Sequence, residues 1–453
     1  GAAPGGDGVF SVLSFGAVGD GVTDDSAAIQ AALDLASELS AAVVVPPGIY
    51  RTGATLTVGS NTRISGTGTI SGLVPGALGV VMLLEDVSNV VIEGITIDGN
   101  KSAYSGVTEW KHGLSILSSR NVTVRNVTAR DCKGDGVYVG IGASEDPSGN
   151  ITLQDVVADG NHRQGLSVVS VDGLRVIGGE YINTSGTAPQ AGIDIEPNGP
   201  EEVLRDVSVI GAKCEGNDGY GLLIVVHDES QGGITISGCS MSNNDQGLSM
   251  SSAHRVVVSN CSICSNTQSG IHAGFQTDST VRNVTVADCE VSDNGDYGVR
   301  FGGPASGVTV KHVAVTRCKI MRNASIGISL AQYITFDNVV VNHCRIADNT
   351  VGVEGRGTGT GLVTTFNAIG NEATTDTTHG FYIYNSVSKQ THFKNRVTGT
   401  TVSRYAFDGG KGADTVVIDE TAPAVTGSRG GNAALASLLA ELAGLGLIVD
   451  SST

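Results

Sequence analysis

Aromatic residues are scarce in this 453-residue chain, at 4% with Trp 1, and its basic residues, Lys+Arg 27, are outnumbered by Asp+Glu 45. The resulting formal charge of -18 argues against nucleic acid or an anionic membrane as the main partner, because both demand concentrated positive charge. Polyanionic substrates are disfavoured more weakly, since a few local arginines override a global field. No apolar run reaches the ~18 residues needed to cross a bilayer, so no membrane insertion is expected. The shortage of aromatics also points away from one large aromatic core and towards a fold of strands and tight turns.

Glycine, by contrast, is abundant at Gly 64, and it is ordered. The phrase Gly-apolar-any-apolar returns from Gly113-Leu-Ser-Ile through Gly136-Val-Tyr-Val, Gly165-Leu-Ser-Val, Gly192-Ile-Asp-Ile and Gly221-Leu-Leu-Ile to Gly380-Phe-Tyr-Ile. Its mean spacing of about 27 residues is the mark of a solenoid. Each phrase alternates at period two, so each is a strand. A strand at this interval, with shorter apolar runs between, predicts one coil of an all-β, single-stranded parallel β-helix whose coils stack at ~4.8 Å. A second column fixes the register. Cys239, Cys261, Cys289, Cys318 and Cys344 each precede an asparagine by five residues, at Asn244, Asn266, Asn294, Asn323 and Asn349. Cysteines repeated at one interior position predict stacked free thiols rather than disulfides, and asparagine suits the turn that follows because it tolerates left-handed backbone.

Residues 1–8 read as a flexible lead-in, and 9–50 as an N-terminal cap. Within the cap, a helix is expected with Thr23 at its N-terminus, Asp24 and Asp25 in its first turn, and Ile29, Ala32, Leu33 and Ala36 on its apolar face. Such a helix covers the exposed end that a solenoid must cap. The repeat is expected to run to residue 400. Residues 401–453 then form a C-terminal cap or oligomerisation tail, with a short Ala/Leu-rich helix near 430–448.

The segment Phe15-Gly-Ala-Val-Gly-Asp-Gly-Val-Thr-Asp-Asp25, with Ala28-Ile-Gln-Ala-Ala32 and Val45-Pro-Pro-Gly-Ile-Tyr50, resembles the opening signature of the pectate-lyase-like right-handed β-helix superfamily. That group includes polygalacturonases, alginate epimerases, polysaccharide lyases and phage tailspike depolymerases. The resemblance covers about residues 9–400 and implies a right-handed coil, a polysaccharide partner and an extracellular setting, secreted or on a virion tail. The terminal tail is loosely similar to segments of phage fibres, which implies a homotrimer. The scaffold alone does not select a reaction, because it hosts hydrolysis, elimination and epimerisation.

Strand parity directs the residue two after each glycine outward. In that column carboxylates concentrate in Gly192-Ile-Asp-Ile-Glu-Pro-Asn198, which sets Asp194 and Glu196 on one outer face ~6.6 Å apart. Val169, Leu223 and Val225 on adjoining coils would raise one carboxyl pKa while its partner stays ionised. Such a pair is what glycosidic hydrolysis requires, and hydrolysis by Asp194 and Glu196 is the first expectation, with His227 and Asp228 as reserve groups. Tyr138, Arg163, Tyr220, His272 and Arg300 are candidate substrate contacts, the tyrosines by stacking on sugar rings. No metal or cofactor is called for. Elimination or C5 epimerisation of a uronate is the alternative, with His227 and Tyr220 as base and acid and Arg163 as the neutralising cation. A non-catalytic glycan-binding fibre is a further alternative. Two departures bear on the choice. Where alginate epimerases carry Asp-Pro-His, this chain reads Asp194-Ile-Glu196-Pro197, and the Gly-His-Gly of polygalacturonases is missing.

Overall fold

The computed structural model describes residues 8–74, 79–106, 109–303, 307–331, 335–356, 366–369, 371–374, 379–384, 389–398, 403–408 and 414–419. It separates into two units, Gly1–Ala273 and Gly274–Thr453. In the first unit each coil contributes three short strands to three parallel sheets, as in Leu114–Leu117, Arg120–Arg125 and Thr128–Arg130. The next coil repeats the set in register, with Leu114 beside Val137, Val122 beside Ile151 and Thr128 beside Val157. The coil is right-handed, as the sequence resemblance implies.

Alternation explains each strand. In Arg120–Arg125 the side chains of Val122 and Val124 are buried, while those of Asn121 and Thr123 turn outward. Between strands the chain turns within one or two residues, and these corners, like the bends inside the strands Arg120–Arg125 and Ser148–Gln154, need left-handed backbone. Asn121, Asn126, Asp131, Asn150 and Asp155 supply it with φ of 55°, 50°, 49°, 52° and 50°, values that asparagine and aspartate tolerate through local hydrogen bonds.

The asparagine column forms as its spacing predicts. In the first unit Asn244 Oδ1 accepts from Asn217 N at 3.1 Å and Asn217 Nδ2 at 2.9 Å, and Asn266 Oδ1 receives the same pair from Asn244. In the second unit Asn323 Oδ1 accepts from Asn294 Nδ2 at 2.8 Å and Asn349 Oδ1 from Asn323 Nδ2 at 3.1 Å. Cys239 and Cys261 of the first unit, and Cys289, Cys318 and Cys344 of the second, are buried free thiols. Each lies over the carbonyl oxygen two residues before it.

The cap contains the expected helix at Ser26–Leu39, with Ile29, Ala32, Leu33 and Ala36 buried. Its start differs from expectation. Thr23 lies in the preceding strand Asp20–Asp24 and does not cap the helix; the N-cap residue is Asp25. The Asp25 carboxylate is drawn away from the helix to the backbone of Val18 and Gly19, at 2.7 and 3.1 Å, and Asp24 serves the first turn by accepting from Ser26 N at 3.0 Å. A buried carboxylate takes the donors that surround it, and here these belong to the glycine turn.

A second correction concerns the outward column of the glycine-led sheet. Ser115, Ser167, Asp194, Ser249, Ser329 and Glu354 point away from the interior, yet all are buried. Rows stacked at ~4.8 Å shield small side chains from both neighbouring coils. Parallel pairing also continues past residue 400, with Tyr382 beside Ala406 and His392 beside Val417. The expected helix near 430–448, and the trimer inferred from it, lie outside the described residues, as does most of the lead-in. Among the described residues no helix is long and apolar enough to cross a membrane.

Candidate active site

Three successive strands of the glycine-led sheet in the first unit, Val137–Gly140, Leu166–Val168 and Ile193–Ile195, place Tyr138, Ser167 and Asp194 on adjacent rungs. Over them opens a cleft of about 330 Å³, lined also by Glu109, Trp110, Arg163, Glu196, Asn198 and His227. Asp194 is 3% exposed, so it forms the floor of the cleft and does not jut into it. Its Oδ2 accepts from Gln164 Nε2 at 2.8 Å, while Gln164 is itself held by Ala191 N at 2.7 Å. The other oxygen, Oδ1, is buried and has no hydrogen-bond partner among the described residues. Burial, and then the charge of Glu196, push the Asp194 carboxyl well above the usual carboxylate range, with Arg163 opposing in part. Burial thus favours the protonated form of Asp194, and half-buried Glu196 lies beside it.

Arg163 is held by Asp135, which has no exposed surface. The guanidinium Nη1 donates to Oδ2 at 3.2 Å and Oδ1 at 3.4 Å, and Ser167 Oγ donates to Oδ2 at 2.9 Å. The nearby His112 reaches the same carboxylate, its Nδ1 lying 3.3 Å from Asp135 Oδ2, but without a charge of its own. Burial lowers its pKa, and its Nδ1 accepts the Asp135 backbone N–H at 3.0 Å, so a neutral ring carries its proton on Nε2. That ring stacks on Tyr138 with centroids 4.8 Å apart and planes 18° from parallel. Burial, followed by the charge of Asp135, pushes the Tyr138 phenol up to about 12, which keeps it a proton donor.

The wall after the Asp194 strand is a loop tied back on itself. Asn198 donates through its N–H and, at 3.1 Å, through Nδ2 to the buried Glu202 carboxylate. Gln231 locks it to the following coil: Nε2 donates to Gly199 O at 2.8 Å and Glu202 O at 3.0 Å, and Oε1 accepts from His227 N at 2.8 Å. His227 completes the rim by donating from Nε2 to Pro197 O at 2.8 Å.

The cleft thus gathers Asp194, Glu196, Arg163, Tyr138 and His227 from among the residues singled out in the sequence. The others lie elsewhere. Asp228 is exposed and caps its own turn at Ser230 N, 2.5 Å away, and the Ser230 hydroxyl, followed by that N–H, lowers its pKa. Tyr220 is half-buried at the start of its strand and outside the lining, and its backbone oxygen accepts from Gly192 N at 2.8 Å. His272 is buried three rungs from Asp194, ~14 Å by strand spacing. Arg300 belongs to the second unit and stacks on Tyr297, 4.5 Å from its ring centre. Asp135, His112, Gln164, Glu109 and Trp110 were not foreseen. For His112, Asp135 and Gln164 the one signal is a polar residue directly before the glycine, as in His112-Gly113, Asp135-Gly136 and Gln164-Gly165. Among the described residues no group of three or more His, Cys, Asp or Glu converges as a metal site.

Residues 9–188 match the family model "Rhamnogalacturonase A/epimerase, pectate lyase-like", and residues 190–316 match "Right handed beta helix region". The fold is that of the pectate-lyase-like β-helices. Relatives of this β-helix include the mannuronan C5-epimerase AlgE5 of Azotobacter vinelandii, 32% identical over 280 residues, which is 55% of this chain and 26% of that protein. The pre-neck appendage protein of Bacillus phage phi29 is 27% identical over 252 residues, 50% of this chain and 28% of that one. The chain thus spans about a quarter of the length of the curated relatives it matches. Among solved structures, the A-module of the Azotobacter vinelandii epimerase AlgE6 superposes with TM-score 0.55 at 23% identity, covering 90% of this chain and 97% of that one. The N-terminal fragment of bacteriophage phi29 gene product 12 gives 0.57 at 18%, covering 92% and 74%. At these identities the superpositions establish shared architecture.

Proposed function

We propose that this β-helix modifies an acidic polysaccharide outside the cell by removing the C5 proton of a uronate, as an epimerase or a lyase. The observation that carries the reading is one cleft lined by both Arg163 and a buried Asp194 whose Oδ1 has no hydrogen-bond partner among the described residues. A cation and a neutral acid side by side form a receptor for a carboxylate, and the same groups stabilise the extra charge that develops on that carboxylate as the C5–H bond breaks. Glu196 receives the proton. In epimerisation the Tyr138 phenol delivers a proton to the opposite face of C5. In elimination the electron pair forms the C4–C5 double bond and expels the glycosidic oxygen, which takes the Tyr138 proton. The sequence relationship to mannuronan C5-epimerases supports this class.

Hydrolysis, the first expectation from sequence, keeps one supporting observation: a carboxyl of raised pKa, Asp194, beside a second carboxyl, Glu196, also suits an acid and its base. Incubating the protein with polyuronates in deuterated solvent separates the two. Deuterium at C5 supports epimerisation, an unsaturated ultraviolet-absorbing end supports elimination, and a product heavier by one water supports hydrolysis. Binding without any of these products would leave a glycan-binding fibre and overturn the enzyme reading.

A further inference from the structure

We propose that Trp110 is a sugar-stacking platform at the far end of the cleft, binding a pyranose ring of the same glycan several residues from the one that reacts. The proposal rests on the cleft being the polysaccharide site. Trp110 is the chain's single tryptophan, and it is 51% exposed although it is the largest apolar side chain available for burial. It is nonetheless held in place. The adjoining Lys111 backbone oxygen accepts from Gly134 N at 2.8 Å, and the indole meets His112 edge-to-face, with centroids 6.1 Å apart and planes at 77°. Since His112 stacks on Tyr138, the Trp110 and Tyr138 rings are linked through one buried imidazole and form a stepped aromatic wall along the cleft.

Position sets the role. Trp110 precedes the strand Leu114–Leu117, whose Ser115 lies three rungs from Asp194 through Tyr138 and Ser167. Three rungs are ~14 Å, the reach of a short oligosaccharide and more than that of a single ring. An indole offers a broad apolar face to the C–H face of a pyranose, and stacking of this kind adds binding without touching the reacting bond. The platform therefore sets a minimum chain length for tight binding and leaves the chemical step alone.

A lone tryptophan makes the test direct. Saturable change in its fluorescence is expected with long uronate oligomers and not with a disaccharide bound at the Asp194 end of the cleft. Trp110→Ala is expected to raise KM for long oligomers roughly 3- to 10-fold with kcat unchanged, to leave the shortest substrate unaffected, and to be largely rescued by Trp110→Phe. Equal losses on short and long substrates, or turnover of a long oligomer with silent fluorescence, would overturn the platform while leaving the uronate reading intact. A fluorescence response to a long neutral glycan, with none to uronates, would support the platform and overturn the uronate reading. No response to any glycan would overturn the platform.

Discussion

Asp135 orients Arg163, which lines the cleft, so its loss has two separable effects. Asp135→Ala strands a partly buried guanidinium and removes the partner of Ser167, and unfolding free energy is expected to fall by about 2–3 kcal/mol in denaturant titrations, at or below the lower limit for a fully buried pair because Arg163 retains 23% exposure. Asp135→Asn keeps the shape and the Ser167 bond, so it should recover much of the stability while kcat stays depressed. Asp194 carries a pH signature. Its folded pKa lies above the unfolded value, so the folded state binds the extra proton and stability is lost as pH rises from the ordinary carboxylate pKa towards the raised one. Asp194→Asn removes that loss: its thermal midpoint should match wild type near pH 4, exceed it increasingly towards neutrality, and accompany abolished turnover. Wild-type stability exceeding the variant's at neutral pH would show that Asp194 is ionised. Asp194, Glu196, Tyr138 and Arg163 were legible because they occupy or flank strands of known parity. Asp135, His112 and Gln164 were not, because the residue before each glycine sits where the chain enters the strand and parity no longer says where it points.

The asparagine and cysteine columns repeat along each unit with opposite sensitivities. Asn244 accepts two bonds from Asn217, and its own Nδ2 donates to Cys214 O at 3.1 Å. Asn244→Ala removes these contacts, leaving Asn217 Nδ2 only its bond to Tyr181 O at 3.1 Å, and should cost about 2–3 kcal/mol by chemical denaturation, whereas an exposed asparagine such as Asn121 should tolerate the same change. Thiols next to the column are shielded from solvent; burial pushes those of Cys132 and Cys214 far above the ordinary range, and the neighbouring Cys261 thiol, then burial, does the same to Cys239. Cys264 alone among the eight is half-buried. Thiol titration of the native protein should therefore label Cys264 first and the others only on unfolding; rapid labelling of several would mean that the coils open locally. Sequence spacing revealed both columns because a repeating element copies its contacts in every coil. The helix start was less legible, since Asp25 is claimed by the turn of Val18 and Gly19, a contact between segments that periodicity does not encode.

At the scale of the whole molecule, a charge of -18 surrounds a cleft proposed to bind an anion. The global field repels a polyuronate at long range, while Arg163 attracts it only at contact. Raising ionic strength from about 0.01 M to about 0.15 M screens the first far more than the second. KM for a long polyuronate should therefore fall over that range, and a rise would mean that local cation contacts govern association. The sequence by itself determined the architecture: glycine-led strands at a near-constant interval, thiol and asparagine columns in phase, and a capping helix ahead of them. Periodicity carries that information because neighbouring coils make equivalent contacts. Only the tertiary structure decided what the acidic pair faces. It buried Asp194 against Gln164, brought Asp135 beneath Arg163, stacked His112 on Tyr138 and left Asp228 outside, because those contacts join residues about 20 to 30 positions apart through side chains whose direction no local pattern specifies.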